Sequence, residues 1–545
     1  MTLPKSLCVC LCLALLGCGD KKRGAQESAS TEPAMDDMFI ESSIGDASYL
    51  NPVLSSDNAS STINGLVYNG LIKFGPDIEL TGDLAERWDI SKDGLIFTFH
   101  LRKNVLWHDG KPFTSDDVLY TYERLIDPAV KTPHSSNYDK VKKVEAPDPW
   151  TVKVYYKEAY VPALESWGMG IVARHVFGNA EGKAFNEHPA NKRPIGTGPY
   201  RFKEWKVDEK ITLDANPDYF GGKIHIARYV FRIIPDNSVE FLELRNKSID
   251  TMLLTPDQYR AYDTFFEGYK KYRLPRGSYT FFGLNLKNPL FKELAVRQAL
   301  AHAINKEELV LGVVAGMGRA ATGPFLPLSW AFDPDTKDFE YDPEKARRLL
   351  AEQGWTDSNG DGILDKDGKD FEFTLITNQG NKMRSLSAEI IQQQLKKSGI
   401  RMHIRIIEWS SFIKNFVDKQ NFEAIILGWN LTPDPDPYSI WHSSQRNEGQ
   451  YNFVSYENAE VDRLLEAGRK EFNPDARKKI YQRMHRLIHD DIPYIFLYYP
   501  DMLPVVHERF EGPRLVPLSS FGFGWNFDQW FVPKNKVLYP VLSAQ

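Results

Sequence analysis

Residues 84–118 decide the fold, and their sequence is LAERWDISKDGLIFTFHLRKNVLWHDGKPFTSDDV. The pattern predicts two paired strands, at 88–90 and 96–101, because the sequence between them contains the Asp-Gly pair of tight hairpins. A second turn, His-Asp-Gly, follows at 108–110, and Thr114 is placed to cap a helix that starts one residue later. The segment is therefore predicted to form a hairpin, a turn and a capped helix in succession.

The rest of the chain alternates between strand-like and helix-like segments. Short β-branched or aliphatic runs predict strands at 152–156, 371–377, 404–407 and 424–427. Helices are predicted at 115–125, 291–304, 343–353, 385–398, 459–471 and 474–489. Asp342 and Asn473 are candidate caps, since each precedes a proline at the first helical position. This alternation favours an α/β architecture.

The N-terminus has the pattern of an export signal. Lys5 is followed by an apolar run at 7–16, which is too short to span a bilayer and fits the core of a signal peptide. The sequence Leu15-Leu16-Gly17-Cys18 resembles the bacterial lipobox, in which the cysteine is acylated and becomes the mature N-terminus. Residues 1–17 are therefore predicted to be a signal peptide, and Cys18 the lipid-bearing residue.

The cysteine distribution limits the chemistry of the mature chain. The cysteines of the sequence are Cys8, Cys10, Cys12 and Cys18. Processing before Cys18 leaves one cysteine, occupied by lipid, so disulfides and thiol catalysis are excluded. Residues 18–37 are small, polar and charged, and they predict a flexible tether on the outer side of the inner membrane. The lipid is the expected membrane attachment, because later stretches lack the apolar length for a span.

Charge and motifs narrow the function further. The formal net charge of −6 gives no electrostatic footprint for nucleic acid. The sequence lacks a dinucleotide fingerprint, a Walker A loop and a nucleophile elbow, so it points to no cofactor and no catalytic residue. A carboxylate pair for a secreted hydrolase cannot be read from sequence in a chain with 73 acidic residues, and that alternative stays open as the remotest one.

Segment 84–118 closely resembles the signature of the family 5 extracellular solute-binding proteins, which serve oligopeptide, dipeptide and nickel ABC importers. Other blocks match the family in the expected order: Asn51-Pro52, 68–71, 196–202, 285–305 and Gly428-Trp429. The resemblance covers residues 38 to 530, nearly the whole mature chain.

This resemblance implies an α/β fold of the type II periplasmic-binding-protein class, with two lobes joined by a hinge and an extra domain inserted in the first lobe. We expect lobe I at 38–80, 194–290 and 498–545, domain II at 81–193 and lobe III at 291–497. Pro- and Gly-rich junctions suggest that the chain crosses between lobes near 193–199 and 287–290.

The resemblance also implies a function. It predicts a monomeric, lipid-anchored protein on the periplasmic or cell-surface side of the membrane, which captures peptides in a cleft between the lobes. Lobe closure would bury the ligand and present it to an ABC permease and its ATPase. The protein would therefore bind its solute without chemical change and would not be an enzyme.

The loop that follows Gly428-Trp429 is the expected ligand contact. Relatives that bind peptides place an aspartate there for the ligand's ammonium, but this chain has Thr432 at that position. Asp434 or Asp436 would replace it if the proline-rich loop is displaced, or the two aspartates are simply solvated on a rigid surface loop. Alternatively the ligand has no free ammonium and is an oligosaccharide, an opine-like solute or a metal chelate. Asn69 agrees with this alternative, because relatives often have an acidic residue at its position.

Aromatic residues near the family blocks are candidates for the walls of the ligand pocket. Large amphipathic rings supply contact area and one polar atom for orientation, although each ring fits a packed core equally well. The candidates are Tyr279, Trp409, Trp429, Tyr438 and Trp441.

A calcium loop is a separate, weaker candidate. Asp357, Asn359, Asp361 and Asp365 lie at alternating positions that suit the start of an EF-hand loop, with Gly362 at the sixth position. The twelfth position is glycine instead of the bidentate glutamate, so an Asp/Gly-rich hairpin connector remains the plainer interpretation.

Overall fold

The computed structural model of the protein describes residues 32–75, 79–432, 434–514 and 524–541. The predicted signal peptide, Cys18 and most of the predicted tether lie outside these ranges. Among the described residues, none of the helices combines the length and the apolar character that crossing a bilayer requires.

The deciding segment folds as its sequence predicts. Strands Ala85–Ile90 and Ile96–Leu101 pair in antiparallel fashion, and Gly94 occupies the left-handed region between them, with φ of +70°. Helix Ser115–Ile126 follows, and Thr114 forms a reciprocal capping box with Asp117 at its start. This hairpin and two later strands form a small sheet in the order Ala85–Ile90, Ile96–Leu101, Thr151–Tyr156 and Val141–Asp148.

The helices confirm most of the predicted positions, with ends that differ by a few residues. Asp342 and Asn473 cap their helices through side-chain oxygens that accept backbone N–H groups, as the sequence predicts. The α-helices are Asn58–Val67, Ser115–Ile126, Arg174–Phe177, Gly182–Asn186, Asn237–Arg245, Pro256–Tyr259, Leu294–Ala303, Lys306–Gly312, Pro343–Glu352, Lys382–Lys397, Trp409–Ser411, Tyr438–Trp441, Ala459–Gly468 and Pro474–Asp491, and the π-helix Phe412–Val417 continues Trp409–Ser411.

The first large sheet forms the core of what we call lobe I. It mixes parallel and antiparallel neighbours, and its central strand Met38–Ser43 pairs in parallel with strands on both sides. Across the sheet the strands are Tyr269–Lys271, Pro504–His507, Thr251–Leu253, Met38–Ser43, Arg228–Ile233, Lys210–Ala215 and Tyr200–Lys206.

The second large sheet forms the core of lobe III. Its predicted strands at 371–377, 404–407 and 424–427 are confirmed, and the buried aromatic residues of this lobe pack between the sheet and its helices. Across the sheet the strands are Leu274–Pro275, Tyr494–Met502, Ser278–Leu284, Ala424–Asn430, Glu372–Asn378 and Arg401–Ile407, and Gly318–Ala320 pairs with Tyr494–Met502.

The chain passes between the two large sheets at two places. One passage lies between Lys271 and Leu274, and the other lies between Met502 and Pro504. The sequence suggested crossings near 193–199 and 287–290. Residues 193–199 instead lead from the 3-10 helix Pro189–Lys192 into strand Tyr200–Lys206 of the first large sheet, and Pro289–Phe291 is a 3-10 helix that follows strand Ser278–Leu284 of the second. Strand Ser278–Leu284 thus belongs to the sheet of lobe III, while the predicted outer limits of the domains stay predictions. We keep the name domain II for the small sheet and the elements packed on it.

His108 holds domain II against the segment that returns to lobe I. The N–H of Gly196 donates to Nδ1 of His108 at 3.1 Å, and Nε2 of the ring donates to the carbonyl of Gly198 at 3.0 Å. Burial lowers the pKa of His108 to about 4, so the neutral tautomer with one donor and one acceptor matches both bonds. The role of this histidine is structural.

The same segment packs tightly against the end of helix Asn58–Val67. A Cβ at position 196 would lie 1.8 Å from the carbonyl oxygen of Val67, so Gly196→Ala is expected to destabilise the protein by about 3 kcal/mol through overpacking. Gly65→Ala in that helix is the matched control, because a Cβ there meets no atom within 4 Å. It should stabilise the protein by about 0.5–1 kcal/mol, since alanine is the better helix former. Urea unfolding of both variants measures the difference, and equal stabilities would contradict the packing argument.

Candidate ligand-binding site

A cavity of about 1090 Å³ lies between the lobes. Its walls come from all three parts of the fold. Lobe I contributes the end of strand Met38–Ser43, domain II contributes residues 165–169, and lobe III contributes strands Ser278–Leu284 and Ala424–Asn430. The volume is slightly above the usual range of pockets that bury a small organic ligand.

Most of the residues singled out from the sequence meet at this cavity. Those that line it are Tyr279, Trp409, Trp429, Thr432, Asp434, Asp436 and Trp441. Tyr438 is not among the lining residues. Its ring stacks on His442 with the centroids 4.2 Å apart, and the guanidinium of Arg469 covers its other face at 3.7 Å. Tyr438 therefore supports the loop instead of contacting the cavity.

The two aspartates of the loop are already paired with arginines. Both carboxylate oxygens of Asp434 accept from the guanidinium of Arg477, at 2.7 and 2.9 Å. Asp436 accepts from Nε of Arg469 at 2.7 Å, and both of these side chains are largely buried. Bidentate and buried pairs of this kind are strong and oriented. The two carboxylates are therefore neither solvated nor free for a ligand cation.

Thr432 and Asn69, the neutral residues at positions that are often acidic in relatives, also have partners within the protein. The hydroxyl of Thr432 donates to the backbone carbonyl of Asp434 at 2.5 Å, which closes the turn of the loop. The amide of Asn69 is held between Asp83, which accepts its N–H at 2.9 Å, and Thr197, which donates to its oxygen at 3.1 Å. Both side chains shape the wall of the cavity without presenting a charge to it.

A carboxylate that the sequence analysis missed lies opposite the loop. Glu165 of domain II lines the cavity and is partly buried, and in the described part of the chain it has neither a hydrogen bond nor an ion pair. Burial, together with the negative charges of Asp434 and Asp436, raises the pKa of Glu165 to about 8, and Arg477 opposes this shift. Glu165 is therefore protonated at neutral pH unless a cation enters the cavity.

Two arginines that the sequence analysis also missed line the same cavity. Arg384 donates to the side-chain oxygen of Asn378 at 2.7 Å, and within the described residues neither Arg384 nor Arg276 pairs with a carboxylate. Burial, with a contribution from the charge of Arg276, lowers the pKa of Arg384 to about 10, and burial also lowers the pKa of Arg276. Two guanidinium groups that share a closed space without an anion form a site where an anion is stabilised.

The main chain offers a third kind of contact. Strand Ala424–Asn430 pairs with Ser278–Leu284 along its whole length, but its ladder with Glu372–Asn378 is limited to Leu375 with Ala424 and Ile376 with Ile425. Residues 427–430 therefore have a strand neighbour on one side, and Leu427, Gly428, Trp429 and Asn430 all line the cavity. An extended ligand can lie along this edge as an added strand.

The lobes touch on both sides of the cavity. The side chain of Asn430 in lobe III donates to that of Asn58 in lobe I at 3.0 Å, and Arg469 of lobe III donates to the carbonyl of Ser136 in domain II at 3.1 Å. Trp409 packs directly on the backbone of Gly45. The lobes are therefore in contact around the cavity, and we call this arrangement the closed form.

The segment that was a candidate calcium loop folds as an Asp/Gly-rich hairpin connector. Asp357 and Asn359 accept backbone N–H groups within the segment, and Asp365 accepts from Ser358 at 2.8 Å. Strands Asp365–Lys366 and Lys369–Asp370 then form a short hairpin. In the part of the chain that the structure describes, no group of three or more His, Cys, Asp or Glu side chains is arranged to hold a metal ion.

Two lobes that close on a cavity lined by unpaired acidic and basic side chains define a solute-binding protein. The chain matches the family model described as bacterial extracellular solute-binding proteins, family 5 Middle, over residues 79–450. It is similar to the oligopeptide-binding protein AppA of Bacillus subtilis (strain 168), with 36% identity over 97% of this chain and 98% of that protein. It is also similar to heme-binding protein A of Haemophilus influenzae, with 29% identity over 94% of this chain and 96% of that protein.

Solved structures point to the same family. AppA from Bacillus subtilis in complex with a nonapeptide superposes with a TM-score of 0.88 and covers 92% of this chain and 100% of that chain. NikZ from Campylobacter jejuni in complex with Ni(L-His) is 32% identical, has a TM-score of 0.81, and covers 91% of this chain and 99% of that chain. The chain belongs to family 5 of the bacterial extracellular solute-binding proteins. The predicted family and the predicted two-lobed α/β fold are confirmed.

The contact between Gly45 and Trp409 predicts how closure can be blocked. A Cβ at position 45 would lie 2.5 Å from Cγ of Trp409, at the rigid base of the ring, so Gly45→Ala should disfavour the closed form. Small-angle scattering on addition of a mixed peptide digest should show less compaction for this variant than for the wild type. Gly312→Ala is the control, because its added Cβ meets only a methyl group of Ile390, at 3.4 Å. Equal compaction of the two variants would contradict the role of Gly45.

Proposed function

We propose that this protein captures peptides in the cavity between its lobes and delivers them, unaltered, to an ABC importer. The observation that carries the proposal is that one cavity between the lobes holds unpaired carboxyl groups, among them that of Glu165, two unpaired guanidinium groups and a strand with one open edge. A peptide with free ends carries an ammonium, a carboxylate and a pairing backbone, which complement these features one by one. Similarity to an oligopeptide-binding protein supports the same ligand class.

The charged groups favour a peptide over a neutral oligosaccharide. A neutral oligosaccharide would leave Arg276 and Arg384 without an anion in the closed cavity, which is unfavourable for buried charges. Binding without chemical change agrees with membership of a family of solute-binding proteins. We therefore propose a binding protein and not an enzyme.

The ammonium of the peptide is assigned to Glu165. Asp434 and Asp436, the candidates from the sequence, are neutralised by arginines, whereas Glu165 has no partner among the described residues and lies near enough to be affected by their charges. The carboxylate of the peptide is assigned to Arg384 and Arg276. The charge of a bound peptide thus compensates groups on both sides of the cavity, which stabilises the closed form.

We also propose that the protein is exported and held at the membrane by a lipid on Cys18, as the sequence predicts. The attachment agrees with membership of an extracellular family. Cys18→Ser should move the protein from the membrane fraction to the soluble fraction and abolish labelling by a palmitate analogue. Retention of the label by this variant would exclude acylation at Cys18.

A double-mutant cycle that combines protein variants with blocked peptides tests the assigned charges. Alanine-based pentapeptides with free ends should bind the wild type, and N-acetylation should weaken binding by about 2–5 kcal/mol, because Glu165 loses its partner. The same acetylation should matter much less for Glu165→Gln. C-terminal amidation should show the corresponding pattern with Arg384→Gln. Isothermal titration calorimetry measures each affinity.

Two exposed residues outside the cavity provide controls, Glu86→Gln and Arg193→Gln, and both should behave as the wild type. The charge assignment is wrong if blocked and free peptides bind the wild type equally well. The proposed function itself is wrong if no peptide binds.

The pH dependence of the same titrations gives a second readout. Below pH 8, ligand-free Glu165 holds a proton, and a bound ammonium favours its ionised form, so binding has to release that proton. Affinity should therefore fall as the pH decreases from about 7.5 to 5.5. Calorimetry in buffers of different ionisation enthalpy should show about one proton released at pH 6.5. The release should vanish in Glu165→Gln, and its persistence would place the titrating group elsewhere.

A further inference from the structure

A second carboxyl group without a partner lines the cavity, and it belongs to Asp418 of lobe III. In the described part of the chain this group has neither a hydrogen bond nor an ion pair, and the side chain is half-buried with its oxygens still accessible. The backbone of Asp418 is fixed, because its N–H donates to the carbonyl of Ile413 at 2.9 Å and its carbonyl accepts from Gly449 at 2.7 Å. The carboxyl group is therefore held at one place in the wall and is free to bind.

The charged groups nearest to Asp418 are engaged elsewhere. Asp57 of lobe I accepts from the backbone N–H and the hydroxyl of Ser60, at 2.9 and 2.6 Å. The ammonium of Lys414 lies over the ring of Tyr49, 5.0 Å from its centroid. Burial, together with the negative charge of Asp57, raises the pKa of Asp418 to about 7, and Lys414 opposes this shift. A cation from outside the protein would favour the ionised form of Asp418.

The helical element before Asp418 presents apolar side chains to the same cavity. Trp409, Ile413 and Val417 follow one another at intervals of four residues, and all three line the cavity. The element ends in a π-helical turn, in which the N–H of Asp418 reaches back five residues to the carbonyl of Ile413. Turns of this kind are rare and frequently occur at functional sites. The result is an apolar strip of wall with a carboxyl group at its end.

Tyr451 forms the neighbouring part of the wall. Its ring meets that of Trp429 edge-on, with the centroids 5.0 Å apart, and meets His134 of domain II at 6.0 Å. Its hydroxyl has no hydrogen bond among the described residues, and burial, with a contribution from the charge of Asp418, raises the pKa of Tyr451. The phenol therefore lies near the carboxyl group. An aromatic ring beside a carboxylate is a favourable environment for a cation.

We call Trp409, Ile413, Val417, Asp418 and Tyr451 the Asp418 subsite, and it lies beside the open strand edge. Trp429 of that edge contacts Tyr451, and the next residue, Asn430, donates to Asn58, which directly follows Asp57. A peptide paired with this edge would therefore bring one of its side chains next to the subsite.

The subsite is distinct from the position of Glu165. The groups that act most strongly on the Glu165 carboxyl are Asp434, Asp436 and Arg477. Those that act most strongly on Asp418 are a different set, consisting of Asp57, Lys414, Glu448 and Lys131. One cation, such as the ammonium of a peptide, would therefore not serve both carboxyl groups.

We propose that the Asp418 subsite receives a basic side chain of the captured peptide, lysine or arginine, whose charge pairs with the carboxylate of Asp418. The inference rests on the proposed peptide function and adds to it a preference for one class of residue. Basic side chains suit the subsite because an aliphatic stem packs on apolar surface while the charge lies at the far end. A neutral side chain would leave the carboxyl group unpaired, and an acidic one would be repelled.

The test is a scan of matched peptides. Pentaalanine peptides with free ends that carry lysine, glutamine or glutamate at each position in turn are titrated into the wild type by calorimetry. At one position, lysine should bind about tenfold more tightly than glutamine, and glutamate should bind more weakly than glutamine. In Asp418→Asn the ratio of lysine to glutamine should fall toward one, while the affinity for the glutamine peptide stays the same.

Two variants serve as comparisons. Asp367→Asn is the matched control, because Asp367 is an exposed residue of lobe III that does not line the cavity, and asparagine tolerates its left-handed backbone. The preference for lysine should persist in this variant. It should also persist in Glu165→Gln, which instead removes the effect of N-acetylation. If Asp418→Asn is the variant that removes the effect of N-acetylation, Asp418 binds the amino terminus and the inference is wrong.

The remaining outcomes separate the inference from the function on which it rests. A lysine-to-glutamine ratio that is near one at each position in the wild type, or unchanged in Asp418→Asn, overturns the inference alone. Failure of every peptide to bind overturns the proposed function together with it.

Discussion

The ion pairs of Asp434 with Arg477 and of Asp436 with Arg469 govern the charge of the cavity. All four groups lie in lobe III, so the loop that begins at Thr432 is neutral before a ligand arrives. Breaking either pair inside the closed lobes would leave a buried charge without a partner, which costs several kcal/mol. The loop is therefore part of the rigid wall, and Glu165, Arg276 and Arg384 are among the ionisable groups of the cavity that remain available to a ligand.

One of these pairs also connects recognition with closure. Arg469 binds Asp436 in its own lobe and at the same time donates to the carbonyl of Ser136 in domain II. A ligand cation at Glu165 would add a second attraction across the same boundary. A ligand can drive closure only if it binds the closed form more tightly than the open form. The difference between the two affinities sets how far the equilibrium moves. Contacts confined to one lobe would raise affinity without moving this equilibrium.

The sequence was sufficient wherever the signal is local. The Asp-Gly turn at 93–94, the cap at Thr114 and the proline-started helix after Asn473 all have mechanisms that act within a few residues, and each appears in the structure. The ionic groups of the site have no such signal. Asp434 and Asp436 meet their arginines 43 and 33 residues further along the chain, and Glu165 comes from another domain altogether. Their roles follow from sheet topology, which a single sequence does not encode locally.

Main-chain pairing and charge compensation would give affinity for peptides with little dependence on their sequence. Pairing of a peptide backbone with residues 427–430 and compensation of its charged ends are independent of its side chains. Tyr279 lies directly opposite Trp429 in the strand ladder, so the edge of the strand away from the cavity is fixed by its neighbour in the sheet of lobe III. The charged ends of a peptide would then set its register on the open edge, because they would meet groups that domain II and lobe III hold at fixed positions.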